Sequence, residues 1–507
     1  MADYDVIVIG AGNGGLTAGA QLAANGTKVI VLEQHNLPGG FASSFVRGRF
    51  EFEPSLHELC DVGPANDKGS VRTLLEDDLG VNVDFVSVPE AYRLILTEEG
   101  LDVTMPFGIN EFVDAMDGYV PGSRSQMRAY LDLCKEVLDA LTYLGESKGN
   151  PDKKVLMKEH ANFLKTTPYT VEEVTRRFKI PEQAKKILYA YWCYIGLPMS
   201  RMSFTLFSAM LHKYLTKGAY IPRYRSHEMS SAIEAKLLEN GGRIEYNTRV
   251  DKILVENGKV TGVETSFGDR ITTNHVICNA SPTMTYNKLI SPQSAVPQIA
   301  YKEVNARIHG SSAFVLYLGL DATADELGLS DYSYFIYDHM DTDKLYASFN
   351  NLFDPTVQAT ICLNKAIPDC SPAGTSIMSF TILYRPGVWD NVKPEDYVAT
   401  KRKIADQLIG NFEQATNIHL RKHIEEIEIA TPQTFARYTG SFGGGVYGYE
   451  PEPWDSIIPR MMSIEDEKYI EGLRFTGGNA FRTYGYSSSL LCGQTVALLT
   501  LKDMGVV

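Results

Sequence analysis

Asp5-Val6-Ile7-Val8-Ile9 runs directly into Gly10-Ala11-Gly12-Asn13-Gly14-Gly15, and an alanine-rich stretch leads on to Val29-Ile30-Val31-Leu32-Glu33. Read outward from the glycines, this is a strand, a tight turn, a helix and a second strand with an acid at its tip. Gly10 lets the chain turn sharply off the first strand. Gly12 lets a pyrophosphate approach the backbone, and Gly15 lets the helix pack close to the sheet. The helix N-terminus presents free N–H groups and a partial positive charge to phosphates. Glu33 follows Gly12 by about 20 residues, the spacing at which a carboxylate reaches ribose hydroxyls. Asn13 and Gln34, beside Gly12 and Glu33, complete this candidate set. The ligand class is a dinucleotide, and the Gly39-Gly40 pair that follows points to FAD rather than NAD.

A second stretch, Gly443-Gly444-Gly445-Val446-Tyr447-Gly448, fits the same glycine spacing. No matching apolar strand precedes it, and Pro451 and Pro453 forbid a helix after it. It reads as a glycine-rich turn.

The 507 residues suffice for two or three domains with ample core. Hydrophobic content of 44% and charged content of 22% fit a soluble globular protein. A net charge of -14 argues against nucleic acid or an anionic membrane as the main partner. Seven cysteines, with no CxxC, suit a reducing compartment. His57-Glu58-Leu59-Cys60-Asp61 lacks the second histidine of a zinc motif, so no metal is expected. Asp3 and Asp5 do not suit a signal peptide, and no stretch reads as a membrane span. The expectation is a cytoplasmic protein, with peripheral membrane contact through an apolar patch left open.

Further along, residues 90–105 read as a hairpin turning at Glu99-Gly100. Residues 123–145 read as a helix with a Ser123/Gln126 capping box and a stripe through Met127, Leu131, Cys134, Leu138 and Leu141. Leu188 to Ile195 is the densest aromatic run. It reads as a buried helix or as the wall of a substrate tunnel. A helix over 229–240 is followed by strands at 243–246 and 250–255, an Asn257-Gly258 turn, a return strand from Val260 and a short strand at 276–280. Residues 313–320 and 376–384 read as strands of a second sheet. Pro394 opens a helix to about Gln414, and Ser487 to Lys502 reads as the last helix. The cofactor pieces are spread over both ends and the middle. This predicts an α/β protein with a discontinuous doubly wound, Rossmann-like domain and an inserted substrate domain.

The whole chain resembles the phytoene desaturase, carotenoid isomerase and retinol saturase family of FAD-dependent enzymes. The residues that carry the resemblance are Val8 to Gly12 through Glu33, Pro38-Gly39-Gly40, Phe50-Glu51-Phe52-Glu53, Gly258 to Val263 and Val276 to Ala280. Thr431-Pro432, Gly445 to Gly448 and Gly472 to Gly478 carry it further. The resemblance implies a doubly wound FAD domain (1–90, 228–300 and 470–507), a mixed substrate-domain sheet (91–110 and 301–469) and a helical cap (111–227). It implies that Gly10, Gly12 and Gly15 hold the pyrophosphate and Glu33 the adenosine ribose. Gly39 and Gly40 would pass near the flavin, Val250 would meet adenine, and Gly478 and Asn479 would sit at the ribityl and phosphate groups. Two positions depart from the family pattern. Asn479 stands where aspartate is usual, and Tyr224-Arg225 where a Gly-Gly pair is frequent.

The resemblance implies redox chemistry, by desaturation or saturation, at carbon–carbon double bonds of a long apolar substrate, a polyene, an isoprenoid or an unsaturated fatty acid. Its alternatives are redox-neutral isomerisation, amine oxidation, which Gly40-Phe41-Ala42 disfavours, and a non-catalytic lipid escort. The absence of a second Rossmann motif favours an external electron carrier or the isomerase. No catalytic acid stands out; Tyr447, Tyr484, Tyr486, Arg482 and His57 lie in segments that the family places near the flavin. Arg223, Arg225 and His227 suggest a carboxylate headgroup site, or a basic face balanced by Glu228 and Glu234. The substrate-binding candidates are therefore Arg223, Arg225, Tyr447 and Tyr486.

Overall fold

Five parallel strands run in the order Arg243–Glu245, Val29–Leu32, Val6–Ile9, Val276–Cys278, Leu473–Phe475. They appear in a computed structural model that describes residues 2–147, 151–465 and 468–506, so the end positions 1 and 507 of the expected boundaries lie outside the described residues. Val6–Ile9 and its two neighbours are buried at every position, as parallel strands covered on both faces require. One face packs on the helices Asn13–Ala24, Ser226–Glu239 and Tyr486–Asp503. The other meets a hairpin sheet built on Val250–Glu256 and Lys259–Thr265, whose turn places Asn257 and Gly258 at positive φ. Strand order reverses at Val6–Ile9, so the crevice at its C-terminal end is the switch point where α/β sheets bind ligands. Gly10 to Gly12 occupies that crevice. The sheet draws on three separate stretches of chain, as the scattered motifs predict.

A seven-stranded mixed sheet runs Ile424–Ala430, Ser312–Leu320, Ser376–Tyr384, Val357–Cys362, Ser333–Tyr337, Tyr92–Leu96, Leu101–Met105. Its one parallel pairing joins Ser333–Tyr337 to Tyr92–Leu96. Ser312–Leu320 shows how it divides the core. Phe314, Leu316, Leu318 and Leu320 pack with the helix Tyr397–Thr416, while Ala313, Val315 and Tyr317 alternate onto the opposite face. That face looks toward helices between residues 109 and 217, including Arg124–Glu146 and Phe204–Lys217.

Three local expectations are corrected. The Ser123/Gln126 box does not form: Ser123 has helical φ/ψ (-82°, -12°) and its hydroxyl is buried without a partner, whereas a capping side chain needs an extended backbone. Asp117 takes over, accepting from Gly122 N at 2.9 Å and Arg124 N at 3.2 Å. The aromatic run is not one helix. An α-helix ends at Leu188, and a 3-10 turn, Ala190–Tyr194, leads to Gly196 at positive φ. Within the expected cap, Ala219–Pro222 is a strand, paired with Leu59–Cys60 and Phe85–Ser87.

Candidate functional site

The glycine turn is held from three sides. Gly39 N donates to Ala11 O at 2.8 Å, and Asn279 N donates to Ile9 O at 2.9 Å. The Asn279 amide is wedged between two glycines: a Cβ on Gly12 would lie 2.8 Å from its Nδ2, and one on Gly477 2.2 Å from its Oδ1. Sequence reasoning missed Asn279, although its place at the tip of the strand next to Val6–Ile9 was available as a signal. Glu33 is buried at the crevice edge, accepting from Ala11 N at 2.6 Å and His35 N at 2.8 Å. Each oxygen keeps a lone pair for a ligand hydroxyl.

From this turn a cavity of about 1000 Å³ runs toward the seven-stranded sheet, at the large end of small-molecule sites (~300–1,000 Å³). Gly10, Gly12, Asn13, Glu33, Gln34 and Gly40 line it, as do Val250, Gly478, Asn479, Tyr447 and Tyr486. Gly15 and Gly39 do not line it; they support the turn from behind. The far end is apolar. Ala313, Val315, Ala359 and Leu383 form a floor on the sheet, and Leu138, Leu141, Leu206 and Met210 form the wall opposite. The aromatic turn closes one side. Cys193, Tyr194 and Ile195 face the cavity while Tyr191 and Trp192 are fully buried, so the tunnel-wall and buried-core readings each describe part of the run.

Tyr447 and Tyr484 stack with ring centroids 4.6 Å apart and 16° between planes. Their hydroxyls donate to Cys193 O, at 2.7 Å, and Ile195 O. Tyr486 donates to Phe41 O at 2.8 Å. The three tyrosines thus line the cavity while their hydroxyls tie the C-terminal segments to neighbouring backbone.

His57 Nε2 lies 2.9 Å from the Thr381 hydroxyl, and Nδ1 is buried without a partner. Burial lowers its pKa from 6.5 to about 4. A histidine depressed in the folded state stabilises the fold fully above its unfolded pKa and loses that contribution as pH falls. We expect thermal stability to drop between pH about 6.5 and about 4, and His57→Asn to flatten that part of the pH–melting profile.

The basic cluster is not a headgroup site in this structure. Arg223 pairs with Asp84 at 2.7 Å and Asp369 at 3.5 Å on the surface. Arg225 is buried at positive φ, and its guanidinium donates to the carbonyls of Glu51, Arg223 and Cys370. Neither lines the cavity. Asp84 and Asp369, distant in sequence, supply the charge balance expected of Glu228 and Glu234. Arg223→Ala is expected to leave fatty-acid binding and the flavin spectrum unchanged in a spectroscopic titration.

A family model described as flavin containing amine oxidoreductase matches residues 14–456. The chain belongs to that family. Its cofactor is FAD, and it is a flavoenzyme rather than an escort protein. It is 24% identical over 517 residues to the chloroplastic prolycopene isomerase of Daucus carota, covering 99% of this chain and 81% of that protein. It is 25% identical over 544 residues to the all-trans-retinol 13,14-reductase of Danio rerio, covering 100% and 86%. Among solved structures, an oxidoreductase from Methanosarcina mazei aligns with TM-score 0.64 at 15% identity, covering 98% of this chain and 100% of that one. Cyclohexylamine oxidase from Brevibacterium oxydans gives 0.61 at 14%, covering 99% of each. These structures share the fold. No described helix is long and apolar enough to cross a membrane.

The residues present fit FAD. Asn13 Oδ1 is buried without a partner at the helix N-terminus. Arg482, also on the cavity wall, has a buried Nε without a partner and no ion pair among the described residues. The nearest carboxylate acting on it, Asp61, is bonded to Lys213 at 2.5 Å. A buried guanidinium with no paired acid, on the wall of the cavity that the helix N-terminus also lines, suits a bound anion. In the sequence Arg482 stands only in a segment that the family places near the flavin, because Asp61 and Lys213 are 152 residues apart and their pairing is set by the fold.

Proposed function

We propose that this chain is an FAD-dependent oxidoreductase acting on carbon–carbon double bonds of a long apolar substrate. The observation that supports the reading is one continuous cavity, polar at the glycine turn and apolar between the sheet floor and the helices. Gly10, Gly12, Asn13 and Arg482 would hold the pyrophosphate, Glu33 the ribose and Val250 the adenine, with Gly478 and Asn479 along the ribityl chain. FAD, when bound, supplies two-electron hydride chemistry. The chain supplies position. Ala313 and Ala359 leave room for a thick chain on the sheet, while Leu138, Leu141 and Met210 exclude water from it. Tyr447 and Tyr484 present a flat, stacked aromatic surface suited to a conjugated segment.

Redox-neutral isomerisation is the second reading, supported by the likeness to prolycopene isomerases over nearly the whole chain. The retinol reductases support saturation. For saturation, an external electron carrier would reduce the flavin. The test is to incubate the pre-reduced, FAD-loaded protein anaerobically with all-trans-retinol and with prolycopene, then measure lipid mass and geometry. A gain of hydrogen identifies a saturase, and altered geometry at unchanged mass an isomerase. Lipids recovered unchanged in both respects would sink the reading.

A further inference from the structure

We propose that the Glu58 carboxyl is the proton donor to the substrate double bond, a role that rests on the function proposed above. Glu58 lies on the cavity wall within Ser55 to Asp61 and is only 6% exposed. Neither of its oxygens has a hydrogen-bond partner. Buried polar groups are nearly always paired, because an unpaired one costs on the order of 1–3 kcal/mol. The other buried glutamates nearby obey that rule. Glu53 accepts from Ser226 N and Oγ, both at 2.8 Å, and even the half-buried Glu90 accepts from Tyr332 N and Ser333 N. Glu450 is paired with Arg201 and Arg385. Glu58 is the exception among them, and it lines the cavity.

Its surroundings hold it as a neutral acid. Burial raises its pKa well above the ordinary carboxylate range, and Glu90 pushes the same way. The Tyr194 hydroxyl opposes the shift by more than Glu90 adds to it, and the Tyr191 hydroxyl, which donates to Ala91 O at 2.8 Å, opposes it less; burial outweighs both, and neither hydroxyl reaches hydrogen-bond geometry with Glu58. Tyr332, Tyr214, Cys60 and Cys193 also feel its charge. No described cation pairs with it. An acid kept protonated at neutral pH has an O–H to give, the pattern of a general acid. The Tyr194 hydroxyl and His57 Nδ1, both buried and unpartnered, border the same part of the cavity and leave it poised for a ligand.

In saturation, the Glu58 O–H bond breaks and a C–H bond forms at one alkene carbon. The adjacent carbon receives a hydride equivalent from reduced flavin, so the substrate gains two electrons and the flavin loses two. The remaining carboxylate regains a proton from water before the next turnover.

The test uses the full-length, FAD-loaded protein with Glu58→Gln and Glu58→Asp, and all-trans-retinol and prolycopene as probes. Glu58→Gln should keep its FAD and bind the lipid within about twofold of wild type. Conversion of bound lipid should slow by ~10²-fold or more, the usual worth of a general acid, and Glu58→Asp should recover part of it. Wild-type product formed in heavy water should carry a solvent deuteron at the former alkene. Independently of turnover, the lipid-free wild type should show the infrared carbonyl band of a protonated carboxyl, absent from Glu58→Gln. Wild-type conversion rates in Glu58→Gln, a loss of affinity without a loss of rate, or an unchanged infrared band would each overturn the assignment while leaving the functional reading intact. A wild type that transforms neither lipid would sink both.

Discussion

Gly15→Ala should yield a protein that no longer retains FAD and melts well below the wild type. A Cβ at this position would stand 1.9 Å from Gly10 O and 3.1 Å from Gly10 C. Both are backbone atoms of the turn itself, so no rotamer change relieves the clash. The helix cannot slide away either, because Asn13 to Ala23 are all buried. Gly14 abuts Gly477 N, and Gly493 on the last helix abuts Gly14 O. Overpacking of this kind costs about 1–3 kcal/mol, occasionally more, and here the strain falls on the cofactor turn. Gly118→Ala is the control: it lies in a helix with nothing within 4 Å and should melt at or above the wild-type temperature. Flavin absorbance after gel filtration and a thermal melt decide the matter. Wild-type flavin content and melting in Gly15→Ala would refute the role assigned to the turn.

Arg482→Met should separate cofactor affinity from apoprotein stability. The guanidinium is mostly buried without a paired acid, a costly state unless an anion fills it. Removing the charge should leave the apoprotein as stable as before or more so. FAD affinity should fall roughly tenfold to a hundredfold, since a charge-assisted hydrogen bond contributes about 1.5–3 kcal/mol and each ~1.4 kcal/mol is tenfold. Calorimetric titration of the deflavinated variant with FAD gives the affinity, and its melt gives the stability. Unchanged affinity would remove Arg482 from the phosphate cradle.

Much of the frame was legible from local patterns. The strands at 6–9, 29–32, 276–278 and 312–320 announce themselves as apolar runs because they are buried on both faces, and 376–384 by its alternation of apolar and polar residues. Gly10, Gly12 and Glu33 were legible because a nucleotide turn dictates residue type at fixed spacing. Features that depend on distant partners were not. Asp117, at the end of the preceding helix, displaces Ser123 as the cap only because the chain between them folds back onto it. Arg225 points inward because three carbonyls from separate segments need donors. Glu58 reads as an ordinary acid beside His57 until the fold shows that nothing pairs with it. A motif search sees required residues; it cannot see a missing partner.

The central claim is that this member of an amine-oxidoreductase family acts on double bonds of long lipids. The most direct measurement is an anaerobic flavin absorbance trace of the FAD-loaded protein, challenged in turn with putrescine, cyclohexylamine, all-trans-retinol and prolycopene, with the lipids recovered afterwards. The account predicts that the amines leave oxidised flavin unbleached, whereas a lipid reoxidises the pre-reduced flavin or is recovered with altered geometry. Bleaching by an amine, with both lipids recovered unchanged, would contradict it.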